Sequence, residues 1–235
     1  MPTNTSLPNW LTKAIQTQAD QSWHAILYRA CETLPEEYLA FLETHAWLPG
    51  KDKVFNAFQL PLAKTQYILY GESPYPRAAS AQGFAFWDAA VKEIWSEKGL
   101  SKPVNRATSL RNLIKMLMSI SRTENYDRVN TLDELFRNLL RHGFLLLNFN
   151  LSLSEIPKTK EAKYWFLFHS YLLEEISQHC QPTLVLFGKI AELVLKIPAS
   201  KKFKTFISEH PYNLSFITNP RVLDFFKPLE LLIAK

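Results

Sequence analysis

Cysteine is scarce in this chain: two occur in 235 residues, Cys31 and Cys180. They lie far apart and neither belongs to a CxxC pair, so there are too few thiolates for a disulfide framework, a zinc site or an iron–sulfur site. We therefore expect no metal and no cofactor, and a reducing, cytoplasmic setting. Long apolar runs are missing too. No stretch approaches the roughly 20 apolar residues of a membrane span, and no basic segment followed by an apolar run opens the chain, which disfavours membrane insertion and secretion. The six glycines never gather into a Gly/Ser linker, and no repeat or low-complexity tract interrupts the sequence. Without a boundary to draw, we read a polar, peripheral segment over residues 1–20 and one domain over 21–235, expected to be a monomer.

What is present is material for a core. Hydrophobic residues make up 47% of the chain, with 16 Phe, 9 Tyr and 6 Trp, which argues against disorder. A formal charge of +5 and an isoelectric point near 9.1 permit association with a polyanion through phosphate contacts and counterion release. The excess is modest, and many proteins carry one without touching nucleic acid.

Four short apolar runs punctuate the chain: Tyr67–Tyr70, Phe144–Leu147, Leu184–Phe187 and, less cleanly, Phe203–Ile207. Longer segments with helical spacing precede and separate them, at Leu34–Leu42, Leu110–Met118, Leu132–Leu140, Trp165–Ile176 and Ile190–Leu195. Strands alternating with helices predict βαβ crossovers and a mainly parallel sheet covered on both faces. Each run ends in polar or flexible residues: Gly71-Glu72-Ser73, Asn148, Gly188-Lys189 and Ser208-Glu209-His210. Ligands of open α/β sheets collect at the carboxyl ends of the strands, so four distant segments are expected to meet at one cleft.

These strand ends carry a resemblance. "VFNAFQLPLAKTQYILYGESPYP" followed by "AQGFAF", then "FLLLNFNLSL", "LVLFG" and "HPYNLS", resembles in order and spacing the uracil-DNA glycosylases of the best-known branch, over roughly Trp23 to Ser215. Short motifs match by chance one at a time; five in sequence, each at a strand end or its loop, do so rarely. The resemblance implies a three-layer α/β/α sandwich around a four-stranded sheet. It also implies metal-free hydrolysis of the bond between uracil and deoxyribose, on a nucleotide flipped out of DNA, single- or double-stranded.

Carried over residue by residue, the resemblance gives Phe86 the stacking surface for the base and Asn148 the reading of O4 and N3–H, for which an amide has both donor and acceptor. Tyr75 takes the ring that excludes the thymine methyl, and His210 the donor to the O2 anion. Leu214 becomes the wedge that enters the duplex, and Ser109 and Ser215 grip its backbone. Gly188 and Lys189 stand where the third strand meets DNA, the lysine being our own assignment to a phosphate. Without the resemblance, Phe86 reads as core, Asn148 as a turn residue and Leu214 as a leucine tucked into its own domain. The histidines at 24, 45, 142, 169 and 179 read as structural or surface groups.

One departure is chemical. Ser73 occupies the place of the family's water-orienting aspartate, and a hydroxyl is neither charged at neutral pH nor a useful base. Three outcomes stay open: slow catalysis from the remaining groups, substitution by Glu72, or an inactive homologue that serves as a DNA-binding or replication accessory protein.

Overall fold

The structure, a computed structural model, describes residues 7–121 and 128–234. Strand β1 (Tyr67–Gly71) is followed by a short antiparallel ribbon, β2 (Trp95–Ser96) and β3 (Gly99–Leu100), and then by β4 (Phe144–Asn148), β5 (Thr183–Phe187) and β6 (Thr205–Ser208). The four long strands form one sheet in the order β4-β1-β5-β6, and every pairing within it is parallel. All four predicted strands are present. The last begins two residues later than its apolar run, and Phe203, just before it, is buried in the core.

Strands β1, β4 and β5 are buried almost without alternation, the signature of a parallel sheet covered on both faces. Helices supply the cover: α1 (Asn9–Gln18), α2 (His24–Cys31), α3 (Glu36–Thr44), α4 (Lys102–Arg106), α5 (Thr108–Ile120), α6 (Leu132–Arg141), α7 (Lys158–His179), α8 (Ile190–Val194) and α9 (Pro220–Phe226). Helix α2 packs on α7, whereas α5 packs on α9 and on a one-turn helix at Leu214–Ile217. The fold is thus the three-layer α/β/α sandwich. No described helix is long and apolar enough to cross a membrane.

The polar start of the chain is less superficial than its composition suggests. Residues 1–6 lie outside the described residues, but in α1 Leu11, Ala14 and Ile15 sit three and four positions apart and enter the core. Gln18, on the same face, donates to the Lys51 carbonyl and accepts from the Phe55 N–H. A polar residue can therefore anchor this segment to the body of the protein.

The sheet order places the cleft. From β1 the chain moves outward to β4 and then crosses to β5 on the other side of β1, so the winding reverses between β1 and β5. At such a switch point the loops leaving the two strand ends diverge and open a crevice. Here those ends are Gly71-Glu72-Ser73 and Gly188-Lys189.

Candidate active site

Gly71 and Asn148 face each other in register at the ends of β1 and β4. A Cβ on Gly71 would lie 2.5 Å from Asn148 Oδ1 and 2.9 Å from the Ala85 Cβ, closer than atoms approach. Glycine here makes room for the carboxamide. Asn148 is 5% exposed, yet its side chain has no hydrogen bond to any described residue. A carboxamide without protein partners keeps both its donor and its acceptor available. The strand behind it is fixed by His169 on α7, a fully buried ring that bonds the Phe149 carbonyl at 2.7 Å and Tyr70 Oη at 3.3 Å. Burial lowers the pKa of that imidazole to about 4, so it stays neutral and structural.

The loop after β1 forms the next wall. The Tyr75 hydroxyl donates to the Phe86 carbonyl at 3.1 Å, and burial, helped by the charge of Asp88, pushes the phenol up to about 12. Phe86 has φ 62°, a left-handed conformation that is a true outlier for a bulky residue and that persists only where neighbours enforce it. Besides Tyr75, those neighbours include β4, whose Leu146 carbonyl accepts from the Ala85 N–H. An Arg77–Asp88 ion pair of 2.9 Å and a bond from the Ala90 N–H to Asp88 close the loop on itself. This clip was not singled out from the sequence, where an arginine and an aspartate eleven positions apart carry no signal.

His210 closes the site from the loop after β6. Its ring lies 6.1 Å from that of Phe86, inclined by 29°, and Phe187 meets Phe86 edge-on. Gly188, at φ 71°, permits the approach: a Cβ there would lie 2.8 Å from the Cβ of His210. Gly188, expected against DNA, thus sits directly behind the histidine, while Lys189 beside it is exposed.

The Tyr212 N–H donates to His210 Nδ1 at 3.1 Å. A ring nitrogen that accepts carries no proton, so this bond selects the tautomer with its proton on Nε2. Partial burial lowers the pKa of the ring and outweighs the opposing charge of Glu72, so the fold favours a neutral imidazole. A second fixture comes from Asn112 on α5, fully buried, whose Nδ2 donates to the carbonyls of Pro211 and Tyr212 at 2.8 and 3.3 Å. Asn112 lies 99 positions from Pro211, and one polar residue in an apolar helix stripe gives no hint of such a reach.

Tyr75 thus bonds Phe86 and Phe86 faces His210, while Asn148 lies against Gly71 at the end of the neighbouring strand. Ser73, two residues past the end of β1, is half-buried, whereas the Glu72 carboxylate is exposed and paired with Lys158 at 3.3 Å. Leu214 and Ser215 are exposed on the His210 loop, and Ser109 lies in the first turn of α5, half-buried. Among the described residues no cluster of His, Cys, Asp and Glu could hold a metal ion.

Searches among known proteins give a consistent answer, although no family model matches the chain. A uracil-DNA glycosylase of Lactococcus lactis subsp. cremoris is 30% identical over 171 residues, 71% of this chain and 70% of the relative. One from Mesomycoplasma hyopneumoniae is 29% identical over 200 residues, 84% and 81% of the two chains. Among solved structures, wild-type UNG from Nitratifractor salsuginis superposes with a TM-score of 0.93 at 35% identity, covering 99% of this chain and all of that one. The mimivirus uracil-DNA glycosylase, at 17% identity and a TM-score of 0.58 over 88% and 77%, shares the fold. Sheet, pocket and relatives agree: the chain belongs to the uracil-DNA glycosylase family.

Proposed function

We propose that the protein is a DNA repair hydrolase that cleaves the N-glycosidic bond of uracil flipped out of DNA, and that it works as a monomer in the cytoplasm. The observation that carries this reading is the tautomer of His210, whose Nδ1 accepts from the Tyr212 N–H and whose Nε2–H is left to donate.

Uracil would stack on Phe86, its N3–H and O4 pairing with the Asn148 amide; cytosine offers the opposite donor pattern. The Tyr75 ring takes the space a thymine methyl would need. As the bond from sugar C1′ to uracil N1 breaks, its electron pair passes into the base and builds charge on O2. A donor already aimed at that oxygen in a half-buried pocket stabilises the charge without reorganising. Water then bonds to C1′ and releases its proton to solvent. Ser73 offers that water a hydroxyl rather than a carboxylate, so we expect turnover to be slow, because a missing base commonly costs about 10²–10⁴ in rate. Leu214 fills the vacated stack, while Ser109, Ser215 and Lys189 meet the phosphates.

The direct assay is release of free uracil from a deoxyuridine-containing oligonucleotide at high protein concentration. Release by the native chain and a fall of about 10²–10³ in His210→Ala support the reading. No abasic product after hours would refute it. That result would favour a second reading, an accessory protein that binds DNA without cleaving it, to which the outward pairing of Glu72 with Lys158 lends support.

A further inference from the structure

The His210 loop exposes two large hydrophobic side chains, Tyr212 at 66% and Leu214 at 71%, well above Leu167 at 47% or Met118 at 45% elsewhere on the surface. The tyrosine is unusual in how it is mounted. Its N–H is fixed to His210 Nδ1 and its carbonyl accepts from Asn112, and the adjacent turn is closed by the Asn213 N–H on the His210 carbonyl at 2.9 Å. Nothing comparable holds the side chain. Among the described residues its ring stacks on no other and its hydroxyl forms no hydrogen bond.

A rigid backbone carrying an unpartnered aromatic ring beside a pocket is the arrangement that nucleobase platforms use. Every base has a π-face, and such stacking needs no hydrogen-bond readout. The backbone beneath the ring is already fixed, so only the side chain's own torsions are ordered when a base arrives. We propose that Tyr212 is a second stacking platform, which takes an unpaired base next to the flipped nucleotide and biases the protein toward single-stranded DNA. Bases of a duplex are already stacked on their neighbours and gain less from the ring. This inference rests on the reading of the chain as a DNA-binding glycosylase.

The test is binding rather than turnover, so it is informative even if no uracil is released. Affinity of the full chain for a fluorescent single-stranded oligonucleotide with one central deoxyuridine analogue resistant to cleavage would be measured by anisotropy. Parallel oligonucleotides would lack the base on one side or the other of the analogue. Tyr212→Ala keeps the backbone N–H that holds His210, and we expect it to weaken binding about 5- to 100-fold. Tyr212→Phe should bind like the native protein. Deleting one particular neighbouring base should weaken the native protein comparably and leave Tyr212→Ala nearly unaffected, and the loss on a matched duplex should be smaller. The proposal is overturned if Tyr212→Ala binds as tightly as native, if Phe is no better than Ala, or if base deletion and Tyr212→Ala add independently. It is equally overturned if the duplex suffers as much as the single strand. Failure of the glycosylase reading itself would show separately, as absent uracil release with this binding pattern intact.

Discussion

The two halves of the site are built differently. On the side proposed to hold the base, each residue is fixed by at least one specific device: Gly71 makes space for Asn148, Tyr75 holds the carbonyl of Phe86, and Gly188, the Tyr212 N–H and Asn112 together set His210. On the side proposed to face the sugar, Ser73 is a half-buried hydroxyl and Glu72 points to solvent and Lys158. If the proposed reading holds, preorganisation is concentrated where charge would leave with the base, not where water would arrive. Stabilising a departing anion and activating a nucleophile are separable contributions, and damaged catalytic constellations retain rate from the parts that remain.

Ser73→Asp sharpens that contrast most. It restores a carboxylate to an otherwise assembled pocket, and single-turnover uracil release should rise by about 10²–10⁴. An unchanged rate would mean that the base side is not competent as it stands. Next in size is Asn112→Ala, which removes the donor to two carbonyls of the His210 loop. Release at saturating DNA should fall about ten- to hundredfold, since a small misplacement of a catalytic group is expensive. Melting should register a loss of about 1–3 kcal/mol from the unpaired buried carbonyl of Pro211; loss of stability with full activity would separate Asn112 from catalysis.

The smallest effect concerns Glu72. With its carboxylate in solvent, Glu72→Gln should leave the neutral-pH rate within about twofold, as exposed ion pairs contribute little; a collapse in rate would make Glu72 the substitute base. The same variant tests the electrostatics. The fold lowers the pKa of His210, so the neutral ring should persist as pH falls through 6.5, its ordinary value, and the acid limb of the kcat/KM profile should lie below that pH. Because the negative charge of Glu72 opposes the shift, removing it should move the limb further toward acid.

Much of this was legible from the sequence because it is local. Four apolar runs became four parallel strands, and the polar residues closing each run met at the switch point. Tyr75, Phe86, Asn148 and His210 were picked out by a resemblance in motif order, and the structure sets Phe86 between Tyr75 and His210. What could not be read was the scaffolding behind them. Asn112 and His169 are single polar residues on helix faces, and their partners lie 99 and 20 positions away. Gly71 reads only as a flexible strand end, whereas the space its side chain would need holds an amide from another strand. In α1 the apolar positions are too few to outweigh a polar composition, yet their spacing puts them in the core.

The state of one imidazole tests the account most directly. Nitrogen-15 NMR of histidine-labelled protein, with His210 assigned through its alanine variant, reports protonation and tautomer at neutral pH. The account predicts a neutral ring protonated at Nε2, whose signal shifts on addition of uracil and much less with an equal concentration of thymine. A doubly protonated ring, or a proton on Nδ1, would contradict it.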